Sequence, residues 1–293
     1  MKKLGLVLGG GAAYGYSHIG VIKKLEENNI RPDFIVGCSM GALIASLYCT
    51  GTDINFIEKI ALNLNFSLLA DFSADPRKYL LNGDNFLQAM RLLTGNKNFS
   101  ETTIPLYINA VTHDNAEGKL FKSGNIAEAV RASASLPWIF RPAEIDGVKY
   151  VDGGVSDSIP VEYAKGIGAD IILAVGFRTL NDSKKDKNSF EKLGKSIETN
   201  KNVITGIYKY LGIKDDSSLS EIYSTIEHSI SILTTNSKSQ SHKLADIFIS
   251  PDLTGIKQLD FRNPEKIIKA GYIETEKHIL EILEKTNNDK IVK

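Results

Sequence analysis

Phe34-Ile35-Val36-Gly37-Cys38-Ser39-Met40-Gly41-Ala42 reads as a strand, a sharp turn and the start of a helix. The apolar run Phe34 to Val36 comes first, a G-x-S-x-G pattern follows, and Ala42 to Tyr48 has helical character. In that setting the pattern marks a nucleophile elbow. The turn is too tight for bulky neighbours, so Gly37 and Gly41 are expected to supply the space. Ser39 then stands at the N-terminus of the helix that begins near Met40, where free N–H groups and the helix dipole favour an anion. A serine alkoxide and a tetrahedral oxyanion are both anions. The bare pattern recurs in many unrelated chains, and it is the flanking strand and helix that make Ser39 a candidate nucleophile. Cys38, the nearest rival, occupies a non-central position of the turn and reads as a small buried hydrophobe.

Upstream, Leu4 to Leu8 reads as a first strand and Gly9-Gly10-Gly11-Ala12-Ala13-Tyr14-Gly15 as a flexible loop. A helix is expected from about Tyr16 to Asn28, with Ile19, Ile22 and Leu25 on one face. Pro32 ends helical structure before the second strand. The order strand, loop, helix, strand, elbow, helix predicts a parallel sheet with helices on both faces. Parallel neighbours end on the same side, which brings Gly9 to Ala12 beside Ser39. The amides of Gly9, Gly10, Gly11 and Ala12, with the N–H of Met40, form the expected oxyanion hole. A dinucleotide loop is the competing reading, because Gly9-x-Gly11-x-x-x-Gly15 loosely matches that fingerprint. Its acidic residue should end the second strand, where this chain has Gly37, and Asp33 lies at the wrong end.

Downstream, helices are expected over Asp53 to Leu64, from a cap at Asp84 through Leu87, Met90 and Leu93, and from a capping box at Asn125 to Glu128. Strands are expected at Pro105 to Val111, Lys119 to Lys122, Lys149 to Val151, Asp170 to Val175 and Asp246 to Ile249, with a closing helix over Pro264 to Lys285. Leu136 to Pro142 is an apolar loop pinned by two prolines. Residues 179–240, polar at first and then carrying an amphipathic helix from Leu219 to Leu233, read as an insertion within one domain, 1–293. A base for Ser39 is sought among His113, His228, His242 and His278, of which His113, just past a strand, is the best placed. Asp152 follows a strand and is held by Gly153-Gly154. From spacing alone, a base at Asp152 and an aspartate that merely starts a turn stand even.

Composition is that of an ordinary globular chain, 42% hydrophobic and 24% charged, and its 35 basic and 35 acidic residues cancel. No net field recruits nucleic acid or an acidic membrane. Two cysteines, Cys38 and Cys49, give neither a disulfide framework nor zinc spacing, which suits a reducing compartment. Met1-Lys2-Lys3 before an apolar run mimics a signal peptide. The glycines at Gly5, Gly9, Gly10 and Gly11 argue instead for a strand and loop, and a cytoplasmic location is the expectation.

The glycine loop, His18-Ile19-Gly20-Val21, the elbow and Asp152-Gly153-Gly154 together resemble the patatin-like phospholipases. Arg131-Ala132-Ser133-Ala134-Ser135-Leu136-Pro137 and the stretch Asp246 to Asp252 are similar too. The resemblance implies an α/β fold, a three-layer α/β/α sandwich with a mostly parallel sheet. It implies a Ser-Asp dyad, with Ser39 as nucleophile and Asp152 as base, and hydrolysis of lipid acyl esters of the phospholipase A or lysophospholipase type through an acyl-enzyme. Neither metal nor cofactor is expected. The expected partner is a lipid substrate, a membrane surface being one place to meet it, and a protein activator is neither implied nor excluded. Many members carry Arg where this chain has Tyr14, which bears on headgroup choice more than on chemistry. An acyltransferase using the same serine and a non-catalytic lipid-binding protein are the alternatives. Trp138, Ile139 and Phe140 fit an acyl pocket, a lipid interface or plain core. Ser133 and Ser135, which lack an elbow, read as structural.

Overall fold

The computed structural model describes residues 2–64, 69–75, 78–177 and 243–286. The sequence expected for insertion, with the Leu219 to Leu233 helix, His228 and His242, lies outside the described residues. Strands β1 (Leu4–Leu8), β2 (Phe34–Cys38), β3 (Leu106–Thr112), β7 (Ile171–Val175) and β8 (Ile247–Ile249) run parallel in the order β3-β2-β1-β7-β8. Antiparallel strands β4 (Gly118–Phe121), β5 (Ala143–Ile145) and β6 (Val148–Asp152) extend the sheet beyond β3. The sheet is therefore mixed and mostly parallel.

Side chains alternate across it, as the period of two requires. Leu4, Leu6, Leu8, Ile35, Ile171, Leu173 and Val175 enter the larger core. That core is shared with α1 (Ser17–Glu27), α2 (Met40–Cys49), α3 (Ile54–Asn63), α4 (Asp84–Leu93), α5 (Ile126–Ser133) and α7 (Pro264–Thr286). Val7, Phe34, Val36, Ile172 and Ala174 face the other way, onto α6 (Val161–Gly166). Helices flank both faces, unequally among the described residues. Burial on both faces is why the strands read as continuous apolar runs rather than alternating ones.

Local chemistry sets the ends. The Asp53 carboxylate accepts the N–H groups of Asn55 and Phe56 and starts α3. Asn125 accepts the N–H of Glu128 at 3.3 Å, while the Glu128 carboxylate pairs with Arg91. Asp84 departs from expectation. It is the first helical residue of α4 and not the cap, which is Gly83 at φ 81. The carboxylate of Asp71 accepts the N–H groups of Gly83, Asp84 and Asn85, a cap delivered from a distant loop. The glycine loop also departs from expectation, being wound into a 3-10 turn over Ala12–Tyr16. Strand β5 and helix α6 are too short for sequence periodicity to detect.

One register positions the site. Along β3, Asn109 is opposite Cys38 of β2, and the next residue, Ala110, is opposite Asp152 of β6. β3 thereby brings the residue after Cys38 to the end of β6.

Candidate active site

Ser39 has φ 51 and ψ −121, a strained conformation for a residue with a side chain. It is tolerated because the elbow is locked around it. A Cβ on Gly37 would lie 2.5 Å from Ala42 Cα, and one on Gly41 2.1 Å from the Leu8 carbonyl oxygen. Neither position admits a side chain, as the tight turn requires. The Ser39 N–H donates to Ser133 Oγ at 2.8 Å. Ser133, read from sequence as structural, thus buttresses the elbow, a role that a helix pattern gives no signal for.

Asp152, the last residue of β6, is buried at 2% exposure. Its Oδ1 accepts the Gly154 N–H at 2.8 Å, and its own N–H donates to the Ser135 carbonyl at 2.9 Å. Its Oδ2 is buried without a hydrogen-bond partner among the described residues. Burial raises its pKa to about 6, against the opposing pull of the Ser39 hydroxyl and the Gly154 N–H. The Ser39 hydroxyl is thus near enough to act on the carboxyl. Gly153 lies against Asn109, where a Cβ would come 2.5 Å from Oδ1.

The glycine loop sorts itself by its amides. Gly9 N–H donates to the Val175 carbonyl at 3.0 Å and Gly10 N–H to the Ser158 carbonyl at 2.8 Å. Those two donors are committed, so the expectation that all five amides serve an oxyanion needs correcting. The N–H groups of Gly11, Ala12 and Met40 make no hydrogen bond among the described residues. Ala12 has φ 48, a second non-glycine residue held in the left-handed region. Gly10 keeps its place by close approach, since a Cβ there would lie 3.2 Å from Ser39 Cβ. His18 is fully buried and its Nε2–H donates to the Gly9 carbonyl at 2.7 Å, with burial lowering its pKa to about 4. A neutral His18 therefore pins the loop. Tyr14 does not point a polar group at Ser39. Its hydroxyl donates to the Ile256 carbonyl at 2.6 Å.

His113, the best-placed histidine by order, is exposed and bonded to Asp114 at 2.9 Å, and His278 pairs with Glu281 at 3.2 Å on α7. Among the described residues no histidine is hydrogen-bonded to Ser39. Cys38 is buried, and burial pushes its thiol well above the usual range, so it stays protonated. Among the described residues no group of three His, Cys, Asp or Glu side chains could hold a metal ion, and no helix is long and apolar enough to cross a membrane. The site thus offers a strained serine at a helix N-terminus, a buried carboxyl of raised pKa and, in the glycine loop and the elbow, three amides uncommitted among the described residues.

Known proteins share this arrangement of chain. A family model described as patatin-like phospholipase matches residues 6–165, a span that holds the glycine loop, Ser39 and Asp152. Lysophospholipase nte1 of Aspergillus fumigatus is 28% identical over 279 residues, covering 92% of this chain and 18% of that protein. Lysophospholipase NTE1 of Coccidioides immitis is likewise 28% identical over 279 residues, with 92% and 17% covered. The chain spans less than a fifth of the length of these curated relatives. The crystal structure of VipD from Legionella pneumophila matches with a TM-score of 0.57 at 16% identity, over 94% of this chain and 66% of that one, a likeness of fold. With more than half its length matched and the fold in agreement, the chain belongs to the patatin-like phospholipase family.

Proposed function

We propose that this protein hydrolyses fatty acyl esters of phospholipids or lysophospholipids, with Ser39 as nucleophile and Asp152 as the single acid–base group. The observation that supports this reading is a buried Asp152 whose Oδ2 has no hydrogen-bond partner among the described residues and whose carboxyl feels the hydroxyl of Ser39, itself held at φ 51. The Ser39 hydroxyl gives its proton to Asp152 while Oγ bonds to the ester carbonyl carbon. The carbonyl electron pair moves onto oxygen, which the N–H groups of Gly11, Ala12 and Met40 stabilise. The intermediate collapses, the C–O bond to the leaving alcohol breaks, and that oxygen takes the proton from Asp152. Water then enters and gives a proton to Asp152 as its oxygen attacks the acyl-enzyme. Collapse frees the fatty acid, and Ser39 Oγ recovers the proton. A pKa near 6 suits a group that must accept and return a proton near neutrality. The names of the relatives favour a lysophospholipid among the candidate substrates.

We further read the chain as one catalytic unit, because β8 adds to β7 and α7 packs across α1, after the long undescribed span. The test is fatty-acid release from a short-chain ester, a phospholipid and a lysophospholipid by wild type, Ser39→Ala and Asp152→Asn. Activity in wild type, lost in both variants, with a fluorophosphonate label on Ser39, is the expected result. Activity that survives Asp152→Asn would reject the dyad.

A further inference from the structure

A cleft of about 900 Å³ opens along the 136–142 loop. Its walls carry Lys78, Arg91, Arg131, Arg141 and Lys149 against Asp84, Glu128 and Glu144, five cations against three carboxylates in a chain of zero formal charge. Two of those carboxylates are occupied, Asp84 by Arg141 at 2.9 Å and Glu128 by Arg91 at 3.0 Å. The third, Glu144, sits opposite Lys149 in the β5–β6 register, yet neither forms an ion pair among the described residues. Among the described residues, Lys78 has a single long ion-pair contact, 3.7 Å, with Asp75.

Arg131 is 5% exposed. Its donors go to the carbonyls of Gly83, Asn82 and Arg141 and to Ser135 Oγ, all neutral oxygens. Its charge is solvated by dipoles without being cancelled, and Asp84 and Asp71 act on it only from a distance. A guanidinium with neutral partners beside an open, cation-rich cleft is a setting for phosphate.

The lip of the cleft is Trp138, 67% exposed and at φ 69, fixed in that conformation where its carbonyl accepts the Leu80 N–H at 3.0 Å. Tryptophan has an apolar body and a single N–H, which suits the boundary between headgroups and acyl chains. The cleft is also tied to the candidate active site. Ser135, whose carbonyl receives the Asp152 N–H, precedes Trp138 by three residues, roughly 10 Å of chain at most.

With the lipid-hydrolase reading as premise, we propose that this cleft docks the protein on membranes by taking the phosphate of an anionic phospholipid between Lys78, Arg141 and Lys149, above Arg131, with Trp138 seated in the interface. A zero net charge does not oppose this, because the Debye length of about 8 Å lets a local cluster act on its own.

The test is flotation with vesicles of phosphatidylcholine, with and without phosphatidylglycerol, in the Ser39→Ala background so that the lipid is not consumed. Each basic residue near an anionic surface contributes about fivefold in binding. Lys78→Gln with Lys149→Gln should weaken binding to the anionic vesicles about 25-fold and leave the weak binding to pure phosphatidylcholine unchanged. Glu144→Gln should strengthen anionic binding, and Trp138→Ala should weaken binding to both vesicle types. All four positions are on the surface, and matching circular dichroism and melting curves check that the variants fold. Equal binding to both vesicle types, anionic binding indifferent to the lysines, or no binding at all overturns the proposal. Hydrolysis of a soluble short-chain ester by the wild type is measured separately. Its absence would defeat the hydrolase reading and leave the flotation result standing.

Discussion

Replacing Asp152 by Asn should make the protein inactive and should move its stability, relative to wild type, in its favour as pH rises through about 6. The carboxyl is 2% exposed, and burial raises its pKa from 3.8 to about 6. A folded state that holds its proton more tightly than the unfolded state loses stability as pH rises. The loss begins near the unfolded pKa of 3.8 and is complete above about 6. At about 1.4 kcal/mol per pH unit, a shift of roughly two units costs about 3 kcal/mol at pH 8. Integrating the linkage puts roughly half of that, about 1.5 kcal/mol, between pH 5 and pH 8. Asparagine keeps an oxygen for the Gly154 N–H and cannot ionise. Whatever fixed cost or gain its amide brings is the same at both pH values and cancels. Asp157, whose pKa burial also raises to about 6, is present in both proteins and cancels as well. The assay is urea denaturation of wild type and Asp152→Asn at pH 5 and pH 8. The stability difference should move in favour of the variant by about 1.5 kcal/mol between the two. A difference that stays flat, or moves the other way, would falsify the raised pKa and with it the fitness of Asp152 as a base near neutrality.

The acid limb of kcat/KM on a soluble ester should rise through about pH 6, because Asp152 works deprotonated, and it should persist in Asp157→Asn. A limb that vanishes with Asp157→Asn would assign the titration to the wrong carboxyl. Ser133→Ala strips the buried Ser39 N–H of its acceptor, for a loss of about 1–3 kcal/mol in denaturation midpoint analysis. It should also lower kcat more than it raises KM, since the elbow loses its support while the cleft is untouched. Unchanged stability and kcat would remove Ser133 from the elbow.

Most of the architecture was legible because the signals were local. Leu4–Leu8 and Phe34–Cys38 are apolar runs of strand length, and Gly37 and Gly41 are the only residues that fit their positions. A strand and a helix on either side of the elbow are enough to say that Ser39 starts a helix. The resemblance implied a partner for Ser39, Asp152, that spacing left undecided. Short elements escaped notice because periodicity needs length, as β5 and α6 show.

What sequence could not supply depends on residues far apart in the chain. It offered five amides for an oxyanion, and only the packed structure engages two of them, Gly9 with Val175 and Gly10 with Ser158. It offered Asp84 as a cap, and folding brought Asp71 there instead. It gave a zero net charge, whereas the tertiary structure gathers five cations into one cleft. Residue type and local spacing determine which groups exist and which backbone turns are sterically allowed. Burial, hydrogen-bond commitment and local field are sums over neighbours, and only the completed fold decides who those neighbours are.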